Sequence, residues 1–178
     1  DDASTDQTTA LAQAPGLLVL HRRENGGKGV TLREGLKVAL RQGYRWVLTM
    51  EADGQHLPSE IHRFLKRARQ GDADFILGNR MEDPKGMPME RRVVNRLMSW
   101  ILSRVAGQRI PDTQCGFRLL SRCLLEKLDL TSEKFEIDSE LVVKSAFAGF
   151  PIVCIPVSSV YRRPISFVRP IRDAIRFL

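Results

Sequence analysis

The chain has 178 residues, 43% of them hydrophobic and 28% charged, with a formal net charge of +7. That is enough chain for one domain with a real core, and the apolar content excludes a disordered polymer. The basic excess favours an anionic partner: nucleic acid, a phosphate-rich ligand or an anionic membrane surface.

Leu17 to Leu20 is a short continuous apolar run and predicts a buried strand. Asn25-Gly26-Gly27-Lys28-Gly29 reads as a loop. From Val30 to Gln42, Leu32, Leu36, Ala39 and Leu40 recur at helical spacing, and Gly43 stands where a helix stops. Trp46 to Met50 predicts a second buried strand, followed by Glu51-Ala52-Asp53-Gly54-Gln55-His56. Ser59 is placed to cap a helix that carries Ile61, Phe64, Leu65 and Ala68 on one face and closes at Gly71. Phe75 to Leu77 predicts a third strand ending at Gly78-Asn79-Arg80.

This alternation predicts a Rossmann-like α/β domain, a mostly parallel sheet with flanking helices. Ligands in such sheets sit beyond the carboxyl ends of the strands, which singles out the loops at Glu51 and Arg80. Further on, Met81 to Met89 reads as a loop. A long helix over Arg91 to Val105 follows, with an apolar band of Val94, Leu97, Met98, Ile101, Leu102 and Val105. A short helix is expected between Gln114–Leu120 and Phe135–Glu140, then a helix over Ser139 to Ala148 and a strand over Ile152 to Ile155. The tail places Ile171, Ala174, Ile175 and Leu178 on one face, a basic amphipathic helix over 166–178 set apart from a domain over 1–165. No uncharged stretch reaches the ~20 residues a membrane-spanning helix needs. Cys115, Cys123 and Cys154 lack the spacing of a zinc site and cannot close a disulfide set.

Two residues apart in an extended turn, Glu51 and Asp53 share a face. With the Gln55 amide they form an oxygen-rich group suited to Mg²⁺ or Mn²⁺; a solvated acidic turn is the alternative. Gly26-Gly27-Lys28-Gly29 offers N–H groups and a helix start to a phosphate, although it lacks P-loop spacing and serves equally as a flexible turn. Arg80, Arg91, Arg92, Arg96 and Arg118 lie near the ligand edge or on the long helix, as phosphate grips or as a solvated face. His56 reads as a surface residue and Cys115 as a packed small residue. Trp100 and Met98 read as core or membrane-facing. No aromatic stacking platform or nucleic-acid motif accompanies the positive charge.

Together these segments resemble a known family. Asp1-Asp2-Ala3-Ser4-Thr5-Asp6 looks like the DDxSTD loop of family 2 glycosyltransferases. Asn25 to Val30, the Glu51–His56 run, Gly78-Asn79-Arg80 and Gln114-Cys115-Gly116-Phe117-Arg118 follow in that family's order. The combination is most similar to the polyprenyl-phosphate sugar transferases of the dolichyl-phosphate mannosyltransferase type. The resemblance implies a GT-A fold, a nucleotide-sugar donor, a divalent metal (Mg²⁺ or Mn²⁺) and a polyprenyl phosphate acceptor at the cytoplasmic face of a membrane, with the protein bound peripherally.

By position, Asp2 and Lys28 would lie near the donor. Glu51, Asp53 and Gln55 would hold metal and diphosphate. Arg80, Arg91 and Arg118 would face the acceptor phosphate, with Arg92 and Arg96 as alternatives to Arg91. The resemblance also implies a first strand preceding Asp1, and it departs from the family at Glu51, where Asp is usual. The expected reaction is an inverting displacement that moves mannose or glucose. Transfer to a hydroxyl is the alternative within the class and would need a carboxylate base, for which Glu136, Asp138 and Glu140 are the candidates. Nucleotide-sugar binding without turnover is the alternative outside it.

Overall fold

Every residue of the strand Phe75–Asn79 (β2) is buried, because a continuous apolar run without alternation must be covered on both faces. In the computed structural model, which describes residues 1–161, β2 lies between two neighbours. Arg118–Ser121 (β3) runs antiparallel to it, pairing Leu77 with Arg118. Ile152–Pro156 (β4) runs parallel, pairing Phe75 with Ile152 and Asn79 with Pro156. Trp46–Thr49 (β1) joins the far side of β3 antiparallel, pairing Thr49 with Arg118. The strand order is therefore β1-β3-β2-β4. The α/β class stands, but the sheet is mixed among the described residues rather than mostly parallel, since β3 enters between β1 and β2 in the opposite sense.

That register positions the site. Thr49 and Leu77 both face Arg118. The ends of β1 and β2 and the loop entering β3 therefore meet at one edge of the sheet.

Helices cover the sheet. Lys28–Arg41 (α2, after the short turn of helix Thr8–Leu11, α1) stops before Gly43, whose φ of 79° is the left-handed conformation glycine adopts freely. Ile61–Ala68 (α3) follows a 3₁₀ turn over Pro58–Glu60. Ser59 lies inside that turn and does not cap the helix; Pro58 starts the turn instead, where its missing N–H costs nothing. Met89–Val105 (α4) and Ile137–Phe147 (α6) frame the second half. Between them Arg122–Lys127 (α5) is capped by Ser121 Oγ, which accepts from Leu124 N at 3.1 Å. Phe64, Phe75, Phe117, Leu120, Ile137 and Leu141 form the dry centre, with the Phe64 and Phe117 ring centroids 4.4 Å apart.

The expected strand at Leu17–Leu20 does not form. Leu17 and Leu18 are more than 60% exposed. A strand needs a partner for its N–H and C=O groups. Here Asp1 supplies two bonds, donating to Leu20 O at 2.8 Å and accepting from Arg22 N at 3.1 Å. The amphipathic helix expected over 166–178 lies outside the described residues. No helix of the described residues is long and apolar enough to cross a membrane.

Candidate active site

The acidic turn leaves β1 and is tied back to the loop before β3 by Thr49 Oγ1, which donates to Gly116 O at 2.9 Å. Gly116 leaves room for Glu51: a Cβ there would lie 2.7 Å from Glu51 Oε1 and would push that side chain aside. The turn is closed by His56, whose Nδ1 accepts from Glu51 N at 3.1 Å. An accepting Nδ1 carries no proton, so the ring is neutral with its proton on Nε2. Burial holds the imidazole below its ordinary pKa against the pull of Glu51, and the ring stacks on Phe117 at 5.1 Å. The expectation of a surface histidine is thus corrected: His56 is buried and shapes the turn. Asp53 is exposed at the tip. Its Oδ1 accepts from Gln55 N at 3.0 Å and its Oδ2 from Gln55 Nε2 at 2.6 Å.

Glu51 is spoken for. Its Oε1 lies 2.5 Å from Lys28 Nζ, which also donates to Asp138 Oδ2 at 2.6 Å. Burial would raise the Glu51 carboxyl, but the ammonium outweighs it and the net shift is downward. Lys28 mirrors this: burial disfavours its charge, Asp138 and Glu51 favour it more, and its pKa rises.

The amides of the three glycines in the glycine-rich loop are already taken. Gly26 N and Gly27 N donate to the two carboxylate oxygens of Asp2, each at 2.8 Å. Gly29 N and Val30 N donate to Glu133 O at 2.8 and 3.1 Å. Asp2 is itself the anion at this loop. Its carboxyl lies below the ordinary value because these amides outweigh its desolvation. Of the loop, Lys28 alone reaches the site edge through its side chain.

Across the edge, Arg80 follows β2. Its Nε and Nη2 donate to Asp112 Oδ2 and Oδ1 at 2.8 and 2.9 Å. Asp112 is fully buried and also accepts from Arg80 N and Asn95 Nδ2, both at 2.9 Å. Desolvation would raise the Asp112 carboxyl, but Arg80 overrides it and the pKa falls. Arg91 sits in the first turn of α4, partly buried, whereas Arg96 is exposed.

Arg118 is placed elsewhere. It is 1% exposed, donates to Cys115 O at 2.7 Å and Thr113 O at 3.3 Å, and pairs with Asp138 at 3.0 Å. It ties the loop before β3 to Asp138 on α6. Cys115 is buried as expected, and burial pushes its thiol up to about 12, which removes it as a nucleophile.

Among the three acids considered as bases, Asp138 is held by Lys28 and Arg118. Glu140 accepts from Thr131 N, Thr131 Oγ1 and Ser132 N; despite desolvation, Lys144 and these amides bring its carboxyl to about 2. Glu136 has a buried Oε2 without a hydrogen-bond partner.

Reading the sequence missed Asp112 and Asn95. One signal was available: Asn95, Ser99 and Ser103 stand four residues apart and mark a polar stripe on α4.

A family model described as "Glycosyl transferase family 2" matches residues 1–129. The chain is 31% identical over 174 residues to polyprenol monophosphomannose synthase of Mycolicibacterium smegmatis, covering 91% of this chain and 65% of that protein. It is 30% identical over 174 residues to undecaprenyl-phosphate mannosyltransferase of Micrococcus luteus, covering 91% and 70%. To UDP-N-acetylglucosamine–dolichyl-phosphate N-acetylglucosaminyltransferase of Methanococcus voltae it is 28% identical over 150 residues, covering 82% and 59%. The chain thus spans between 59% and 70% of the length of these relatives. Among solved structures, glucosyl-3-phosphoglycerate synthase from Mycobacterium tuberculosis superimposes with a TM-score of 0.70 at 18% identity, over 98% of this chain and 61% of that one. That likeness bears out the GT-A fold.

Proposed function

This chain belongs to glycosyl transferase family 2, and we propose that it moves a hexose, mannose or glucose, from a nucleoside-diphosphate sugar to a polyprenyl phosphate, with inversion at the anomeric carbon. Two relatives of about 30% identity are named for sugar transfer to a polyprenyl phosphate.

One observation carries the choice of a phosphate acceptor over a hydroxyl. A hydroxyl needs a base to take its proton, yet Asp138 is locked between two cations and Glu140 is clamped to the 131–132 backbone, which leaves only Glu136 of the three candidates. A phosphate monoester is already ionised near neutral pH and needs orientation instead. Arg80, which follows β2 at the site edge, suits that task, and Arg91 in the first turn of α4 is assigned to it as a second grip.

The donor diphosphate is assigned to the acidic turn, beside Lys28. The donor atoms there are hard oxygens, as Mg²⁺ or Mn²⁺ requires. No three His, Cys, Asp or Glu side chains are placed to hold a metal ion among the described residues, and Glu51 is committed to Lys28. Asp53 and the amide oxygen of Gln55 would therefore hold the ion, with substrate phosphates and water completing its shell, a usual arrangement for Mg²⁺. When bound, the ion supplies positive charge against the departing nucleoside diphosphate. Gln55 must first release Asp53 Oδ2 and turn its amide oxygen towards the site. Glu51 fixes the ammonium of Lys28 beside the phosphates.

The acceptor's lipid tail calls for a membrane surface. Helix α4 turns Met89, Val93, Leu97 and Trp100 to the outside, with Arg96 and Arg104 beside them. Such a basic, apolar face suits peripheral docking on an anionic, cytoplasmic leaflet.

The test is a panel of GDP-mannose and UDP-glucose with Mg²⁺ or Mn²⁺, offered a short polyprenyl phosphate or a free saccharide. Transfer to the polyprenyl phosphate alone, retained in Glu136→Gln, supports the proposal. Transfer to the saccharide, abolished in Glu136→Gln, overturns it in favour of a hydroxyl acceptor.

A further inference from the structure

We propose that Asp112 is a positioning residue for Arg80 and that, through Asn95, it ties the placement of that guanidinium to helix α4. The inference rests on the reading that Arg80 meets the acceptor phosphate.

One carboxylate fixes Arg80 three times. Its oxygens take the main-chain N–H at 2.9 Å, Nε at 2.8 Å and Nη2 at 2.9 Å. A fork held along the Nε–Nη2 edge cannot rotate about its own axis, so the direction of the Nη1 side is set. The seat extends inward. Asn95 Nδ2 donates to Asp112 Oδ1 at 2.9 Å, Ser99 Oγ donates to Asn95 Oδ1 at 3.2 Å, and Thr113 N donates to Ser99 Oγ at 3.0 Å.

This seat accounts for a feature of α4 that packing alone does not. The helix buries Asn95 and Ser99 beside Leu102, yet leaves Leu97 55% and Trp100 59% exposed. Stability alone is a weak reason for the pair. Buried ion pairs gain little over well-packed apolar replacements, whereas breaking one partner away is costly. A polar stripe turned inward to complete the hydrogen bonds of one aspartate is what a device for aiming Arg80 requires.

The experiment is a cycle of Asp112→Asn, Arg80→Ala and the double variant in the full chain. Acceptor and donor kinetics are measured with a short polyprenyl phosphate and whichever of GDP-mannose or UDP-glucose the wild type uses. Donor affinity is read by calorimetry and folding by thermal melts. We expect Asp112→Asn to raise acceptor KM about tenfold or more while donor Kd stays within about twofold. The double variant should be no worse than Arg80→Ala, because one residue acts through the other. Effects that multiply, or donor and acceptor affinity falling together, overturn the proposal and leave Asp112 a structural residue.

Should Asp112→Asn not melt cooperatively, Asn95→Ala replaces it. That variant keeps the ion pair and removes one bond to the carboxylate. It should raise acceptor KM by a smaller factor at constant donor Kd; an unchanged acceptor KM overturns the proposal. A wild-type acceptor KM in Arg80→Ala sinks the reading of Arg80 itself, and this proposal with it, an outcome distinct from failure at Asp112 alone.

Discussion

Two cations border the site edge, and they are seated in opposite ways. Lys28 is shared between two carboxylates on separate elements, Glu51 after β1 and Asp138 on α6, and its side chain keeps 22% exposure. Arg80 is forked onto one carboxylate with none, Asp112. An ammonium is a compact charge that tolerates several arrangements, whereas a guanidinium forked onto a carboxylate has one orientation. The Lys28 side can adjust as a donor enters and leaves. The Arg80 side is pre-set, as an oriented nucleophile requires.

The largest expected effect lies at a residue in neither seat. Asp53→Ala should lower sugar transfer by more than about a thousandfold. Its thermal midpoint should hardly move, because the carboxylate is exposed and bonds within its own turn. Full transfer in that variant with Mg²⁺ or Mn²⁺ present would refute the assignment of the donor to this turn.

The two seats should then separate in stability. Asp112→Ala leaves Arg80 with an uncompensated buried charge and should cost about 3–5 kcal/mol in urea unfolding. Lys28→Met should cost less, about 1–3 kcal/mol, because Asp138 keeps Arg118 at 3.0 Å and Glu51 still reaches solvent. Equal losses would show that the two seats are built alike and remove the comparison.

pH sharpens the same contrast. The Glu51 carboxyl is held below its ordinary 4.5 and the Lys28 ammonium above its ordinary 10.5. Their pairing contributes fully between those two values. It is lost as pH falls through the folded Glu51 pKa or rises through that of Lys28. Asp112 lies below its ordinary 3.8 and Arg80 well above its own ordinary value, so the second seat persists further into alkali. In Lys28→Met burial and the Asp53 charge act on Glu51 against His56 alone, so its carboxyl shifts upward and its contribution shrinks. Melts between about pH 3 and 7 should therefore rise less steeply with pH in that variant than in the wild type. Parallel curves would mean that Glu51 does not rely on Lys28.

Much of this was legible in the sequence and part was not, for physical reasons. The runs Trp46 to Met50 and Phe75 to Leu77 were read as strands, within two residues of the strands observed, and the loops after them as the ligand edge, because apolar continuity and turn residues are local signals. The reversed sense of β3 was not legible, since strand direction depends on pairing far along the chain. Leu17–Leu20 carried a strand's composition but not its partner. Gly26–Gly29 looked open to a phosphate, and the structure fills its glycine amides with Asp2 and Glu133, neither of which spacing could place. His56 and Arg118 were misplaced for a related reason. A charged or polar residue reads as exposed until a neutralising neighbour, here the Glu51 amide or Asp138, is brought in by the fold.

Helix α4 gives the smallest stability effect and ties the Arg80 seat to the outside of the molecule. Its apolar residues were read as a single band that is either core or membrane-facing, and the structure divides them: Leu102 is buried, Leu97 and Trp100 are exposed. Replacing Leu97→Ser and Trp100→Ser together should change stability by no more than about 0.5 kcal/mol per site, since neither side chain is packed away from water. The same variant should lose flotation with anionic vesicles, because a surface helix binds in proportion to the apolar area it can bury there. Removing charge instead, by Arg96→Gln with Arg104→Gln, should weaken flotation on anionic vesicles and leave the small binding to neutral ones unchanged. If flotation survives both changes, α4 is not the docking face. Its inward polar stripe would then be explained by the Asp112 seat alone, with the outer apolar residues left as surface exposure that the helix tolerates.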